Sequence, residues 1–142
     1  MKAILQRLAV VAALTTVAWG SAMADSWTFK SDLSGKNESP PNDSPATGTA
    51  AANYDTATKV LTWHVEYSGL TGPAIGAHIH GPASSGANAG IMLPFPKPES
   101  PIDGSATLTE AQEKSLVDGG LYVNIHTEAH PGGELRGQLV KQ

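Results

Sequence analysis

KVLTWHVEYSGL, residues 59–70, decides the fold class. Leu61, Trp63, Val65 and Tyr67 fall on one side of a period-two pattern, with Thr62, His64 and Glu66 on the other. Side chains of an extended chain alternate between faces, so the stretch is a β-strand with one apolar and one polar face. The pattern recurs on both sides of it. Upstream, SWTFKSDL (26–33) and the small-residue run ATGTAAANY (46–54) read as strands. The polar loop SGKNESPPNDSP (34–45) separates them, and DTAT (55–58) turns the chain into the opening stretch. Downstream, AIGAHIH (74–80) is a strand that stops at Gly81-Pro82. PASSGANAG (82–90) is a loop, and IMLPFPKPESP (91–101) is extended chain broken by prolines. GSATL (104–108), LYVNIHT (121–127) and GGELRGQLV (132–140) complete the strands. The one helix is predicted in TEAQEKSLVDGG (109–120), where Thr109 and Gln112 have capping-box spacing and glycines follow. Strands at this spacing with a single short helix predict an all-β, two-sheet sandwich.

The first 24 residues read as a secretory signal peptide. Lys2 and Arg7 precede an apolar run from Leu8 to about Trp19, and Ala22 and Ala24 have the small-residue spacing of a cleavage site. Removing them leaves 118 of the 142 residues, one domain (25–142) with no internal repeat and no dividing linker. That domain has seven basic and 13 acidic residues, a charge of −6. An acidic chain without a basic cluster argues against nucleic acid, and the short apolar run argues against a membrane anchor. An exported location, periplasmic or secreted, is expected. The absence of cysteine excludes disulfides, thiolate metal sites and a cysteine nucleophile. Neither a nucleophile elbow nor a phosphate loop is present. No catalytic residue is assigned, and an enzyme is the less favoured class.

The histidines carry the remaining chemistry. In AIGAHIH, Ala77 and Ile79 take the core side, so His78 and His80 share the outer face. In LYVNIHT, inward Leu121, Val123 and Ile125 put Tyr122, Asn124 and His126 outward. His64 also falls outward, and His130 follows in the loop TEAHPGG. Imidazoles two apart on a strand can converge on one ion, and a third from another strand makes a three-histidine site. His64 or His130 would be a fourth ligand, and Glu66, Glu128 or Glu134 a carboxylate donor. The plain alternative is a solvated sheet face with polar residues. Glu134, Arg136 and Gln138 likewise share one face, as a weak surface ion pair or as groups that orient or steer an anion beside a metal.

Three segments, LSGKNESPPNDSPATGTA, LTWHVEYSGLTGPAIGAHIHGPA and GLYVNIHTEAHPGGELRGQL, together resemble the CHRD (chordin-type) domain from about Trp27 to Val140. Ser39, after Glu38, departs from the apolar residue more usual in the family. The resemblance implies an extracellular binding module with an immunoglobulin-like, Greek-key β-sandwich related to Cu/Zn superoxide dismutase. The stretch from Gly69-Leu70 to His78-Ile79-His80 is similar to the dismutase copper strand, and His126 to its late copper histidine. Arg136 is a possible analogue of the arginine near that copper. No histidine–aspartate cluster follows His80 to form a zinc loop. The implied cofactor is therefore copper, with zinc as the alternative. Three functions follow: a transition-metal-binding protein, an extracellular protein-interaction module without metal, and a dismutase-like oxidoreductase.

Overall fold

The structure, a computed structural model, describes residues 25–142; the expected signal peptide lies outside the described residues. Nine strands form: β1 (Ser26–Ser34), β2 (Thr47–Asp55), β3 (Val60–Ser68), β4 (Ala74–His80), β5 (Ile91–Pro94), β6 (Ile102–Thr107), β7 (Tyr122–Thr127), β8 (Leu135–Gln138) and β9 (Val140–Lys141). A single helix, α1 (Glu110–Val117), and a 3-10 turn over Gly35–Asn37 complete the described elements. All pairings are antiparallel, in the order β5-β4-β7-β8-β1-β2-β3-β6, with β9 joined to β1. β8 and β1 meet at one pair only, Ser34 with Arg136. The sheet folds over at that weak seam into a nearly closed, barrel-like β-sandwich. The all-β expectation with one short helix is met.

Alternation explains the core. Leu61 and Val65 of β3 and Phe29 of β1 are buried against Ile79 of β4, Ile125 of β7 and Leu135. Each such side chain contributes about 1.5–3 kcal/mol on burial. Trp63 stacks on Phe95 at 5.0 Å and lies over its cross-strand partner Gly104, where a Cβ would come within 2.5 Å of the indole. The capping box forms as predicted: Thr109 Oγ1 accepts from Gln112 N–H, and Gln112 Oε1 accepts from Thr109 N–H. Among the described residues no helix is long and apolar enough to cross a membrane.

Two expectations are corrected. GGELRGQLV does not form one strand. Leu139 is buried and gives its N–H to Leu121 O, so the chain leaves β8 and rejoins the sheet against β1 as β9. The outer face around β7 and β8 is also not open to solvent, although His78 and His126 at its β4 side are only half-buried. Asn124 and Arg136 are buried, and Glu134 is 0 % exposed. Two loops cover this face. Loop 35–45 donates Asn37 Nδ2 to Arg136 O and Asn42 Nδ2 to the carbonyls of Gly133 and Glu134. Loop 81–90 gives the carbonyl of Ala87 and Asn88 Oδ1 to the Arg136 guanidinium. Ser39 Oγ on Gly86 O and Asn88 Nδ2 on Ser39 O tie the two covers together.

Candidate metal centre

Under these covers the strand register lays out three rows. Gly76 of β4 faces His126 of β7. His78 faces Asn124, which faces Arg136 of β8. His80 faces Tyr122, which faces Gln138. One ligand nitrogen from each of His78, His80 and His126 lies within 4.8 Å of the other two. Gly76 makes room: a Cβ there would stand 3.3 Å from His78 Cε1 and 4.0 Å from His126 Cδ2.

Hydrogen bonds fix the tautomers. A carbonyl oxygen only accepts, so His80 donates Nδ1–H to Ala89 O at 3.0 Å, and His126 donates Nδ1–H to Pro131 O at 3.0 Å. In the neutral rings both Nε2 atoms then carry bare lone pairs. His80 Nε2 is buried and has no hydrogen-bond partner. An orphaned acceptor of this kind is costly in a fold unless something binds it. His126 Nε2 lies 3.1 Å from His78 Nδ1, which donates to it when no ion is bound. Backbone carbonyls behind the two outer imidazoles are the usual means of aiming metal-ligating histidines. Burial holds all three pKa values below the ordinary 6.5, and for His78 and His80 the neighbouring His126 adds to the effect. The rings are therefore neutral near pH 7, the protonation state a ligand needs. The donor set and the orphaned nitrogen fit a transition-metal ion that accepts imidazole.

The other candidates lie elsewhere. His64 projects from β3 in the other layer, with Nδ1 2.6 Å from Asp103 Oδ1 and Nε2 3.5 Å from Glu66 Oε1. His130 lines a small cleft of about 260 Å³ with Glu38, Pro40 and Pro131. Neither histidine joins the group of three, nor do Glu66, Glu128 and Glu134. Glu134 instead accepts from Ser44 Oγ, Thr71 N and Oγ1, and Thr127 Oγ1. Burial pushes its carboxyl up, but these donors outweigh it and hold the pKa below the ordinary value. Glu134 and Arg136 form no ion pair with each other; each side chain has its own set of hydrogen-bond partners. Arg136 is 2 % exposed, with its Cζ 3.6 Å from the Tyr122 ring centroid. That ring also stacks on His80, at 5.1 Å and 5° between planes.

Sequence reasoning gave no site role to Gly76, Tyr122 or Glu38. Tyr122 has the parity of His126 and was legible as an outward neighbour. Glu38 had no local signal. It comes from the covering loop, and its carboxyl accepts from Asn124 Nδ2. Burial pushes Glu38 up to about 7, against the opposing pull of Arg136 and the Asn124 hydrogen bond. Comparison with curated proteins and with solved structures gave no significant match. Comparison with protein families gave a match to the CHRD domain over residues 29–139, which spans both covering loops and all the strands that carry the histidines. The chain belongs to the CHRD domain family.

Proposed function

We propose that this protein is an exported binding module that takes up a transition-metal ion, copper first, through His78, His80 and His126. The observation that carries the reading is the convergence of three imidazole nitrogens within 4.8 Å, one of them buried without a partner. CHRD membership supports the wider frame, an extracellular or periplasmic module. When bound, copper supplies a Lewis acid and a one-electron couple; zinc is the alternative ion for the same donors. The chain's own part is to hold and aim the imidazoles. Ala89 O and Pro131 O keep His80 and His126 in the Nδ1–H tautomer, which leaves their Nε2 lone pairs free for an ion, and His78 would join them as a neutral imidazole.

A dismutase-like activity draws no support from Arg136. Its guanidinium is enclosed by Tyr122, Ala87 and Asn88, so it is not free to steer a diffusing anion. Family membership favours a second reading, a protein-interaction module. The exposed large apolar side chains Ile75, Ile91, Val117 and Val140 are four in number and lie on four different elements, β4, β5, α1 and β9. Isothermal titration of the purified protein with Cu(I), Cu(II) and Zn(II) decides between the two. One ion per chain, lost in His80→Ala and in His126→Ala, is expected. Binding no tighter than about 1 mM for every ion would leave the interaction module in its place.

A further inference from the structure

The charges around the three histidines say more about the ion than the donors alone. The three donors are neutral, and no carboxylate belongs to the group. This face carries a buried cation, Arg136, and a buried carboxylate, Glu134, whose oxygens are taken up by Ser44, Thr71 and Thr127. Arg136 and His80 both stack on the Tyr122 ring, the guanidinium carbon 3.6 Å and the imidazole centroid 5.1 Å from its centroid, so one aromatic ring joins the cation to a donor imidazole. The stack is fixed from both sides by one short stretch of loop. Ala87 O and Asn88 Oδ1 hold Arg136, while Ala89 O holds His80 Nδ1 and Ala89 N–H donates to Tyr122 Oη. Glu38, which interacts with Arg136, is pushed up to about 7 by burial and offsets the guanidinium charge only in part. His64 and His130 stay out of the group, so no fourth imidazole is at hand for the tetragonal nitrogen set that Cu(II) favours.

We propose that this face is built to hold monovalent copper in preference to the cupric ion, with the Arg136–Tyr122 stack setting the preference. The inference rests on the metal-binding reading above and names the charge state of its ion. A second positive charge on the ion meets the guanidinium across one aromatic ring. At that separation and an effective dielectric near 20, the extra repulsion corresponds to roughly a tenfold loss of affinity. Tyr122 is a spacer and Arg136 a positioning residue, because neither offers a ligand atom to the ion.

The test is a pair of competition titrations on the full chain. Cu(I) is measured without oxygen against a chromogenic cuprous chelator, and Cu(II) against a weak amino-acid chelator. The expected result is a cuprous dissociation constant at least about tenfold below the cupric one. In Arg136→Gln the gap should narrow by about tenfold, which moves the potential of the bound couple down by about 59 mV, while Arg136→Lys keeps it. Tighter binding of Cu(II) by the unaltered protein would overturn this inference and leave the copper site standing. Binding of neither ion would remove both. An unchanged gap in folded Arg136→Gln would remove the role of the stack. The measurement on the unaltered protein decides the preference even where Arg136→Gln does not fold.

Discussion

At the residue scale, the buried groups of the outer face divide into those that are satisfied and one that is not. Glu134 is the satisfied extreme, a carboxylate with donors from three separate segments. Glu134→Gln keeps the shape but replaces one acceptor with a donor aimed at other donors. The expected cost is about 2–4 kcal/mol, read as a lower urea midpoint with an unchanged slope. Loss below 0.5 kcal/mol would mean the hub is not under tension from its donors. His80 Nε2 is the unsatisfied extreme. Gly76 tests whether the space around the trio matters. A Cβ at 3.3 Å from His78 Cε1 is tight but not impossible, so Gly76→Ala should fold and shift the His78 ring. Metal affinity should fall about tenfold or more with little loss of stability, a split that titration and thermal melting read separately. Equal affinity in that variant would show that His78 is not held where its neighbours need it.

At the element scale, parity was the legible quantity. A two-residue period assigned Leu61, Val65, Ile79 and Ile125 to the core and His78, His80 and His126 to one face, because alternation is a property of the local chain. Two things were not legible. One was which strands become neighbours: β4 pairs with β7 rather than with β3, a long-range choice made by the packing of two layers. That choice brought His126 to His78 and left His64 on the other sheet. The second was the cover. Loops 35–45 and 81–90 have no period, so their closure over β7 and β8 could not be read from spacing. The expectation of a wet face around Arg136 failed for that reason. Capping was local and legible: Thr109→Ala should cost about 1 kcal/mol of stability by removing the acceptor for Gln112 N–H. Thermal melting at neutral pH checks it, and no change would place the weight of α1 on buried Leu116 alone.

At the scale of the whole molecule, acid and base act on the outer face through groups of opposite sign. The three histidines have depressed folded pKa values. Their contribution to stability is present above the unfolded value near 6.5 and is lost as pH falls through the folded values. Glu38 has a raised folded pKa, so its contribution is present below about 4.5 and is lost as pH rises through about 7. His64, raised by Asp103, has the same sign as Glu38, but it is exposed and counts for little. The two sets partly cancel in the metal-free protein, whose stability should vary weakly between pH 5 and pH 8. Glu38→Gln removes one side of that balance. Relative to the unaltered protein, it should gain about 1–2 kcal/mol between pH 5 and pH 8, with partial solvent screening limiting the difference. Urea unfolding at the two pH values measures this, and a constant difference between the two proteins would contradict the raised Glu38. On the proposed function, metal binding would follow only the histidines. Protons compete for the same lone pairs, and because the folded pKa values lie below 6.5 the competition begins late. Copper affinity should therefore be flat from pH 8 to pH 7 and fall more than about tenfold by pH 5, while Glu38→Gln keeps that fall. An affinity equal at pH 7.5 and pH 5 would mean that the ion is held by groups other than these three imidazoles.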